Sequence, residues 1–230
     1  IEERPYASFA CAIRDAPGPD TWVTRCIMST RATSDSCTNP KTGTPYVFGV
    51  CCGVFWRFEL TGAWRLKHIN VSEGLGPIGN VMTFGPGSAG GQEQFVLGTD
   101  NTSGAAMMLG RAKADDLVYM GRRVRESDEW KACADKTWVE HEGGYGNIIS
   151  DLGSRDVWPE LYAVCAAHGI TLREVRPPPS FFALVFDIEL NTSNYYDEPP
   201  EPYTPDEQPA PRPRARCRWR CGCYELVEPG

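Results

Sequence analysis

The sequence predicts a mainly β protein, a two-sheet β-sandwich with two short helices and long loops. One observation is a series of short apolar segments, about ten residues apart, separated by Gly, Pro, Asn and Ser. Spacing of this kind is typical of sandwiches and barrels. A second observation is an even number of cysteines, ten, scattered along the chain. We therefore expect residues 1–230 to form a single domain stapled by disulfide bonds.

Two segments alternate between apolar and other residues as half-buried strands do. Residues 54–60 carry apolar side chains at every even position, and residues 182–190 do the same over a longer stretch. Successive side chains of a strand point to opposite faces, so each segment predicts one sheet face that packs on the core. The further predicted strands are 8–14, 21–29, 45–50, 63–69, 93–98, 105–112, 116–121 and 170–176.

Two other segments are predicted to be helices. The first covers residues 156–169, where Asp156 can cap the start and Gly169 can end the helix. Its apolar residues recur at helical spacing and turn Cys165 toward the core. The second helix begins near Ser127.

Cysteines and glycosylation sequons together indicate a secreted protein. Three of the seven asparagines stand in Asn-x-Ser/Thr sequons, and the predicted glycan acceptors are Asn70, Asn101 and Asn191. The cysteines predicted to form disulfides are Cys11, Cys26, Cys37, Cys51, Cys52, Cys133, Cys165, Cys217, Cys221 and Cys223. Their connectivity stays open. The spacing lacks the CxxC knuckles of structural zinc, so we predict no metal site, and no apolar run reaches the roughly 18 residues of a membrane span.

Residues 195–211 are predicted to form an exposed acidic loop. The segment contains six prolines and five acidic residues and has no basic residue. Prolines at this density favour extended structure, and carboxylates with aromatic neighbours suit a basic protein ligand. The residues predicted to bind it are Tyr195, Tyr196, Asp197, Glu198, Glu201, Tyr203, Asp206 and Glu207. The alternating arginines that follow, from Arg212 to Arg220, predict a strand.

Signals for catalysis are weak. Residues 74–79 spell GxGxxG, but a sequon precedes them and a Gly/Pro-rich stretch follows, which favours a surface loop over a dinucleotide site. His141 stands between Glu140 and Glu142, a pairing that can perform acid–base chemistry, yet no nucleophile motif accompanies it. The net charge of −7 argues against nucleic acid as a partner. We therefore predict no enzymatic activity and no cofactor.

The segment from Trp158 to Cys165, followed by the predicted strand Gly169–Val175 and by Cys217–Leu226, resembles poxvirus secreted chemokine-binding proteins. These belong to the poxvirus immune-evasion domain family, and the Ala/Arg/Gly/Pro-rich composition is similar to that of its parapoxvirus branch. The resemblance implies a β-sandwich that sequesters small basic host chemokines outside the cell and blocks their receptors. It carries over no individual contact residue.

Other functions stay open from the residues alone. One is the capture of another host cytokine, and another is a structural envelope glycoprotein. A third, from a different class, is a secreted hydrolase that uses Glu140, His141 and Glu142. No oligomeric state is predicted.

Overall fold

The computed structural model describes residues 30–39, 43–85, 95–141, 147–167, 169–193, 216–220 and 223–227. The strands there are β1 (Thr30–Thr38), β2 (Pro45–Cys51), β3 (Val54–Glu59), β4 (Phe95–Thr99), β5 (Thr137–His141), β6 (Arg173–Glu174), β7 (Arg216–Arg220) and β8 (Cys223–Val227). The α-helices are α1 (Ile69–Phe84), α2 (Thr102–Met108), α3 (Asp115–Glu126), α4 (Asp128–Lys131), α5 (Ile148–Ser154), α6 (Trp158–Ala167) and α7 (Pro179–Asn191). Two 3₁₀ turns, Gly62–Leu66 and Ala134–Lys136, complete the elements.

Six strands form one mixed sheet in the order β5-β4-β1-β2-β3-β6. Within it β2 alone runs against the others, since β1 pairs with β4, β4 with β5 and β3 with β6 in parallel. Strands β7 and β8 form a separate antiparallel pair. One apolar cluster holds α1, α3 and α7 against the sheet, and a second, around Phe48, holds α5 and α6. The fold is therefore α/β, and the predicted two-sheet β-sandwich is wrong.

The longest predicted strand shows why the sandwich fails. Residues 182–190 belong to α7, whose buried side chains are Phe181, Leu184, Val185 and Ile188. This is the i, i+3, i+4, i+7 stripe of a helix, and a proline at its first position favours the helical start. The apparent period of two arose because the outer face is also apolar: Phe186 is 61% exposed there.

Of the other predicted strands, some are wrong and some are confirmed. Half of residues 105–112 fall in α2, 116–121 lie in α3 and 63–69 lie mainly in a 3₁₀ turn, so these three strand predictions are wrong. The predictions at 45–50, 54–60, 93–98 and, in part, 170–176 are confirmed as β2, β3, β4 and β6. Both predicted helices are confirmed as α6 and α4, with Cys165 buried and Ser127 capping Trp130 N. Segments 8–14 and 21–29 lie outside the described residues.

The GxGxxG segment lies in the buried helix α1, so the predicted surface loop is wrong. Its glycines let the helix lie very close to the sheet. A Cβ on Gly76 would come within 2.5 Å of Ser34 Oγ, and one on Gly79 within 2.3 Å of Trp56 Cζ2. These glycines therefore allow the backbone of the helix to approach the sheet closely, and they do not indicate a phosphate site.

Disulfides do not hold the described core together. Cys37, Cys51, Cys133 and Cys165 are free thiols, where the sequence predicted disulfide partners. Three of them are buried and pack as small apolar side chains, which is a common role of cysteine. Cys11, Cys26 and Cys221 lie outside the described residues, and Cys217 and Cys223 are described only as backbone in β7 and β8.

The predicted acidic loop, residues 195–211, also lies outside the described residues. Among the helices that the structure describes, none combines the length and the apolar character needed to cross a membrane.

Candidate active site

Two carboxylates meet where the parallel strands β1 and β4 lie side by side. In the strand register Ser34 pairs with Thr99, so Asp35 in β1 lies level with Asp100, which directly follows β4. After β1 the chain continues to β2, which lies on one side of β1, and later returns to β4, which lies on the other side of β1. This is a topological switch point, and α/β proteins bind ligands outside the carboxyl ends of the strands at such points.

A third carboxylate, that of Glu73, comes from the second turn of α1. Its Oε2 accepts a hydrogen bond from the side-chain amide of Asn101, the residue after Asp100. Asn101 also caps α2, since its Oδ1 accepts from the backbone N–H of Ser103 at 2.7 Å and Gly104 at 3.0 Å. One residue thus ties the carboxylate of α1 to the end of β4.

The fourth carboxylate, that of Asp151, comes from α5, the helix that follows β5. Its Oδ1 accepts from Arg155 Nε at 2.6 Å. The helix is held to β1 by Asn147, whose Nδ2 donates to Ser34 O at 2.9 Å, and by Ser154, whose Oγ donates to Asp35 Oδ2 at 2.5 Å. Four separate parts of the chain therefore bring acidic side chains near enough to one another to interact electrostatically.

Burial and mutual repulsion disfavour ionisation of Asp35, Glu73 and Asp100. Burial raises the pKa of Asp35 to about 7, with the charges of Asp100 and Asp151 adding to the rise against the opposing Ser154 hydrogen bond. Burial likewise raises the pKa of Glu73 to about 8, reinforced by Asp35 and Asp100. The pKa of Asp100 is raised by burial too, while Asn147 and His141 lower it in part. Groups that repel in this way need a cation if all are to be charged together.

The donors suit a hard divalent cation. Carboxylate and amide oxygens are the ligands that Mg²⁺ and Mn²⁺ prefer. Asn147 adds one more oxygen: the residue is 1% exposed, hydrogen bonds to Asp100 through its side chain, and its Oδ1 has no hydrogen-bond partner among the described residues. Across the residues described, no three His, Cys, Asp or Glu side chains already converge on one point. Each of three carboxylates already accepts a hydrogen bond on one oxygen, Glu73 from Asn101, Asp35 from Ser154 and Asp151 from Arg155.

Of the three residues suggested for a hydrolase, only His141 is placed at this site. It ends β5 opposite Thr99, and its Nε2 lies 3.0 Å from Asp100 O. Glu140 instead forms an ion pair with the buried Arg31 at 2.9 Å, which ties β5 to β1. Glu142 lies outside the described residues.

The sequons have different surroundings. Asn191 is exposed at the end of α7, whereas Asn70 and Asn101 are half-buried at the candidate site. The Nδ2 of Asn101, the atom that a glycan would occupy, donates to Asn70 Oδ1 at 3.2 Å and to Glu73. In this structure the side-chain amide of Asn101 is therefore engaged in hydrogen bonds at the candidate site. The predicted ligand-binding residues, Tyr195 to Glu207, are not described.

Sequence reasoning missed all four carboxylates. Asp100 had a usable signal, because it directly follows an apolar segment that was correctly predicted as a strand. Asp35 had none of that kind, since β1 is a polar strand, with Thr33, Ser34 and Ser36 buried in it. Glu73 and Asp151 lie on helices that were not predicted, so nothing in the pattern placed them near the others.

Comparison with known proteins returns no match, whether to family models, to curated proteins or to solved structures. The function has to be argued from the geometry.

Proposed function

We propose that this protein is a divalent-metal-dependent hydrolase of phosphodiester bonds, with nucleic acid as its substrate. The observation that carries the proposal is the meeting of Asp35, Glu73, Asp100 and Asp151 at a topological switch point. Paired divalent ions held by carboxylates are the usual means by which nucleases and polymerases act on phosphodiesters.

The order of the strands supports the same chemistry. In the run β5-β4-β1-β2-β3 only β2 is reversed, so the carboxyl ends of the parallel strands β1, β4 and β5 lie side by side at the carboxylates. This arrangement of strands does not determine function by itself. It adds weight to the proposal because the carboxylates lie at the edge where this kind of sheet binds ligands.

The surroundings of each carboxylate and of His141 suggest its role in the reaction. Asp35 and Asp100, level with each other on adjacent strands, would hold metal ions, with Glu73 and Asp151 completing the set from the flanking helices. Such ions activate water and neutralise the charge that develops on phosphate. His141, exposed and beside Asp100, can carry a proton between the site and solvent.

The net charge of −7 is compatible with this substrate. Four of the negative charges are the carboxylates themselves, and two divalent ions would cancel them. The five acidic residues of 195–211 do not contribute to the net charge, because the five arginines from Arg212 to Arg220 offset them. The charge argument against nucleic acid therefore does not apply to the candidate site, where binding would run through the metal ions.

Chemokine binding stays a prediction. The structural basis that the resemblance implied was a two-sheet sandwich, and the described residues instead form a six-stranded mixed sheet covered by helices, with β7 and β8 as a separate pair. The segment predicted to capture the ligand is not described. The nuclease proposal has the stronger support, because its four carboxylates lie in described elements and interact electrostatically.

The experiment is a cleavage assay on labelled oligonucleotides. Single-stranded DNA, duplex DNA, RNA and an RNA–DNA hybrid would each be incubated with the 230-residue chain in Mg²⁺, in Mn²⁺ and in EDTA. We expect cleavage of at least one substrate that requires the metal. Asp35→Asn and Asp100→Asn keep the shape and remove a charge, and should each lower the rate at least about a hundredfold, the scale for one lost charge-stabilising group.

Asp187→Asn is the matched control. Asp187 is also a hydrogen-bonded aspartate, but it accepts from Tyr119 and Arg123, both at 2.8 Å, on the α3–α7 surface. This variant should cleave as the wild type does. Absence of cleavage with every substrate and metal would contradict the proposal. So would equal activity of Asp35→Asn and wild type, which would indicate a contaminating nuclease.

A further inference from the structure

Ser154 at the end of α5 makes an unusual contact for a buried serine. The residue is fully buried, and its hydroxyl donates to Asp35 Oδ2 at 2.5 Å. The same oxygen lies 3.1 Å from the backbone carbonyl of Asp151, one helical turn earlier. A single side chain therefore connects the strand carboxylate to the turn of helix that carries the second carboxylate.

The consequence for Asp35 is a fixed orientation. A hydrogen bond between a hydroxyl and a carboxylate is strong and directional when water is excluded. Asp35 also accepts a hydrogen bond from the backbone of Ser36, so its carboxylate is held from the strand and from the helix at once. Metal sites depend on such outer partners, which orient the ligands that touch the ion.

We propose that Ser154 is a positioning residue, whose hydroxyl sets the orientation of the Asp35 carboxylate relative to Asp151. The inference rests on the proposed function, in which Asp35 and Asp151 hold metal ions. Ser154 itself touches neither metal nor substrate. Its effect would pass entirely through Asp35.

A purely structural role is the competing explanation, and the helix provides a control for it. Ser150 also lies on α5, is also fully buried, and also joins α5 to β1 through its hydroxyl. Its partner, however, is the hydroxyl of Thr33, at 2.7 Å, and not a carboxylate. Ser150→Ala and Ser154→Ala therefore remove equivalent anchors of the helix, and only the second frees Asp35.

The experiment compares wild type, Ser154→Ala and Ser150→Ala by cleavage rate, oligonucleotide KM, half-saturating Mg²⁺ concentration and Tm. For Ser154→Ala we expect kcat to fall at least tenfold and the half-saturating Mg²⁺ concentration to rise severalfold, with KM for the oligonucleotide within twofold of wild type. Ser150→Ala should keep all three kinetic values within twofold of wild type, even if its Tm falls as far as that of Ser154→Ala.

A conservative replacement provides the rescue. Ser154→Thr keeps the hydroxyl and should recover most of the activity that Ser154→Ala loses. If its extra methyl prevents folding, Ser154→Cys, which keeps the size with a weaker donor, should fall between Ser154→Ala and wild type.

Two results would overturn the inference in distinguishable ways. An active wild type with Ser154→Ala equally active, or with Ser150→Ala losing as much kcat as Ser154→Ala, removes the positioning role and leaves the nuclease. A wild type without any metal-dependent cleavage removes the proposed function, and the positioning role falls with it.

Discussion

The ionisation of a few residues controls what the candidate site can do. Asp35 and Glu73 are carboxylates whose surroundings favour the protonated form near neutral pH, because burial and like charges act together. A metal ion reverses that preference, since it stabilises the charged form of both. Metal binding should therefore release protons and become tighter as the pH rises from about 6 to 9.

The same residues predict how stability depends on pH without metal. The pKa of Asp35 is raised on folding, so between its ordinary value of 3.8 and about 7 the folded state binds more protons than the unfolded state. Glu73 behaves alike up to about pH 8. Stability is then lost as the pH rises through this window, by up to about 1.4 kcal/mol per pH unit for each such group.

We therefore expect the Tm in EDTA to be higher at pH 5 than at pH 8, as measured by circular dichroism. Asp35→Asn should flatten this dependence, because an amide does not titrate, and Mg²⁺ should raise the Tm at pH 8. The prediction would be contradicted by a Tm in EDTA that rises from pH 5 to pH 8, with Asp35→Asn unchanged from wild type. That result would show that burial does not raise the pKa of these carboxylates.

Among the elements, helix α1 is placed by its glycines. Asn80, fully buried, accepts from Trp56 Nε1 at 2.9 Å and donates to Thr33 O at 3.0 Å, so it joins the helix to two strands. The contact is possible only because Gly76 and Gly79 have no side chain. The position of Glu73 at the site depends on this close packing.

Gly79→Ala tests that dependence. Its Cβ would come within 2.3 Å of the Trp56 ring, so we expect a loss of about 1–3 kcal/mol in the free energy of unfolding, typical of an overpacked core. Gly104→Ala in α2 is the control, since its nearest neighbour would be 3.6 Å away, and alanine favours helices. Urea unfolding gives both values. Equal stability of the two variants would mean that α1 does not need the close approach.

How much of the fold the sequence predicts depends on the kind of element. Strands with one regular apolar face, such as β3, and helices with a clear cap, such as α6, were found from pattern alone. Helix α1 was missed because Gly74, Gly76, Pro77 and Gly79 all disfavour a helix locally, and only packing against the sheet explains it. Helix α7 was missed because its exposed face also carries large apolar side chains, Phe186 and Leu190. The site was missed with them, because it exists only where these elements meet.

For the whole molecule, the structure replaces a disulfide framework by a core of apolar side chains. The main cluster joins the sheet to α1, α3 and α7 through large buried residues such as Trp56, Phe95 and Phe181. A core of this size is sufficient for a domain of this length without covalent cross-links. The cysteines in the described core then act as packing residues.

Alkylation of the unfolded, unreduced protein tests this. We expect mass spectrometry to find labels on Cys37, Cys51, Cys133 and Cys165, and we expect dithiothreitol to leave the Tm unchanged. Wild type without reductant and wild type fully reduced before alkylation provide the comparison. Protection of all four cysteines until reduction would restore the disulfide framework that the sequence suggested.

The central claim is that the edge of the sheet at Asp35 and Asp100 binds divalent ions. Titration of Mn²⁺ at pH 8, followed by electron paramagnetic resonance of the free ion, measures this directly and does not depend on knowing the substrate. The account predicts saturable binding of about two ions per chain, weakened at least tenfold in Asp35→Asn and unchanged in Asp187→Asn. Absence of saturable binding, or equal binding by wild type and Asp35→Asn, would contradict it.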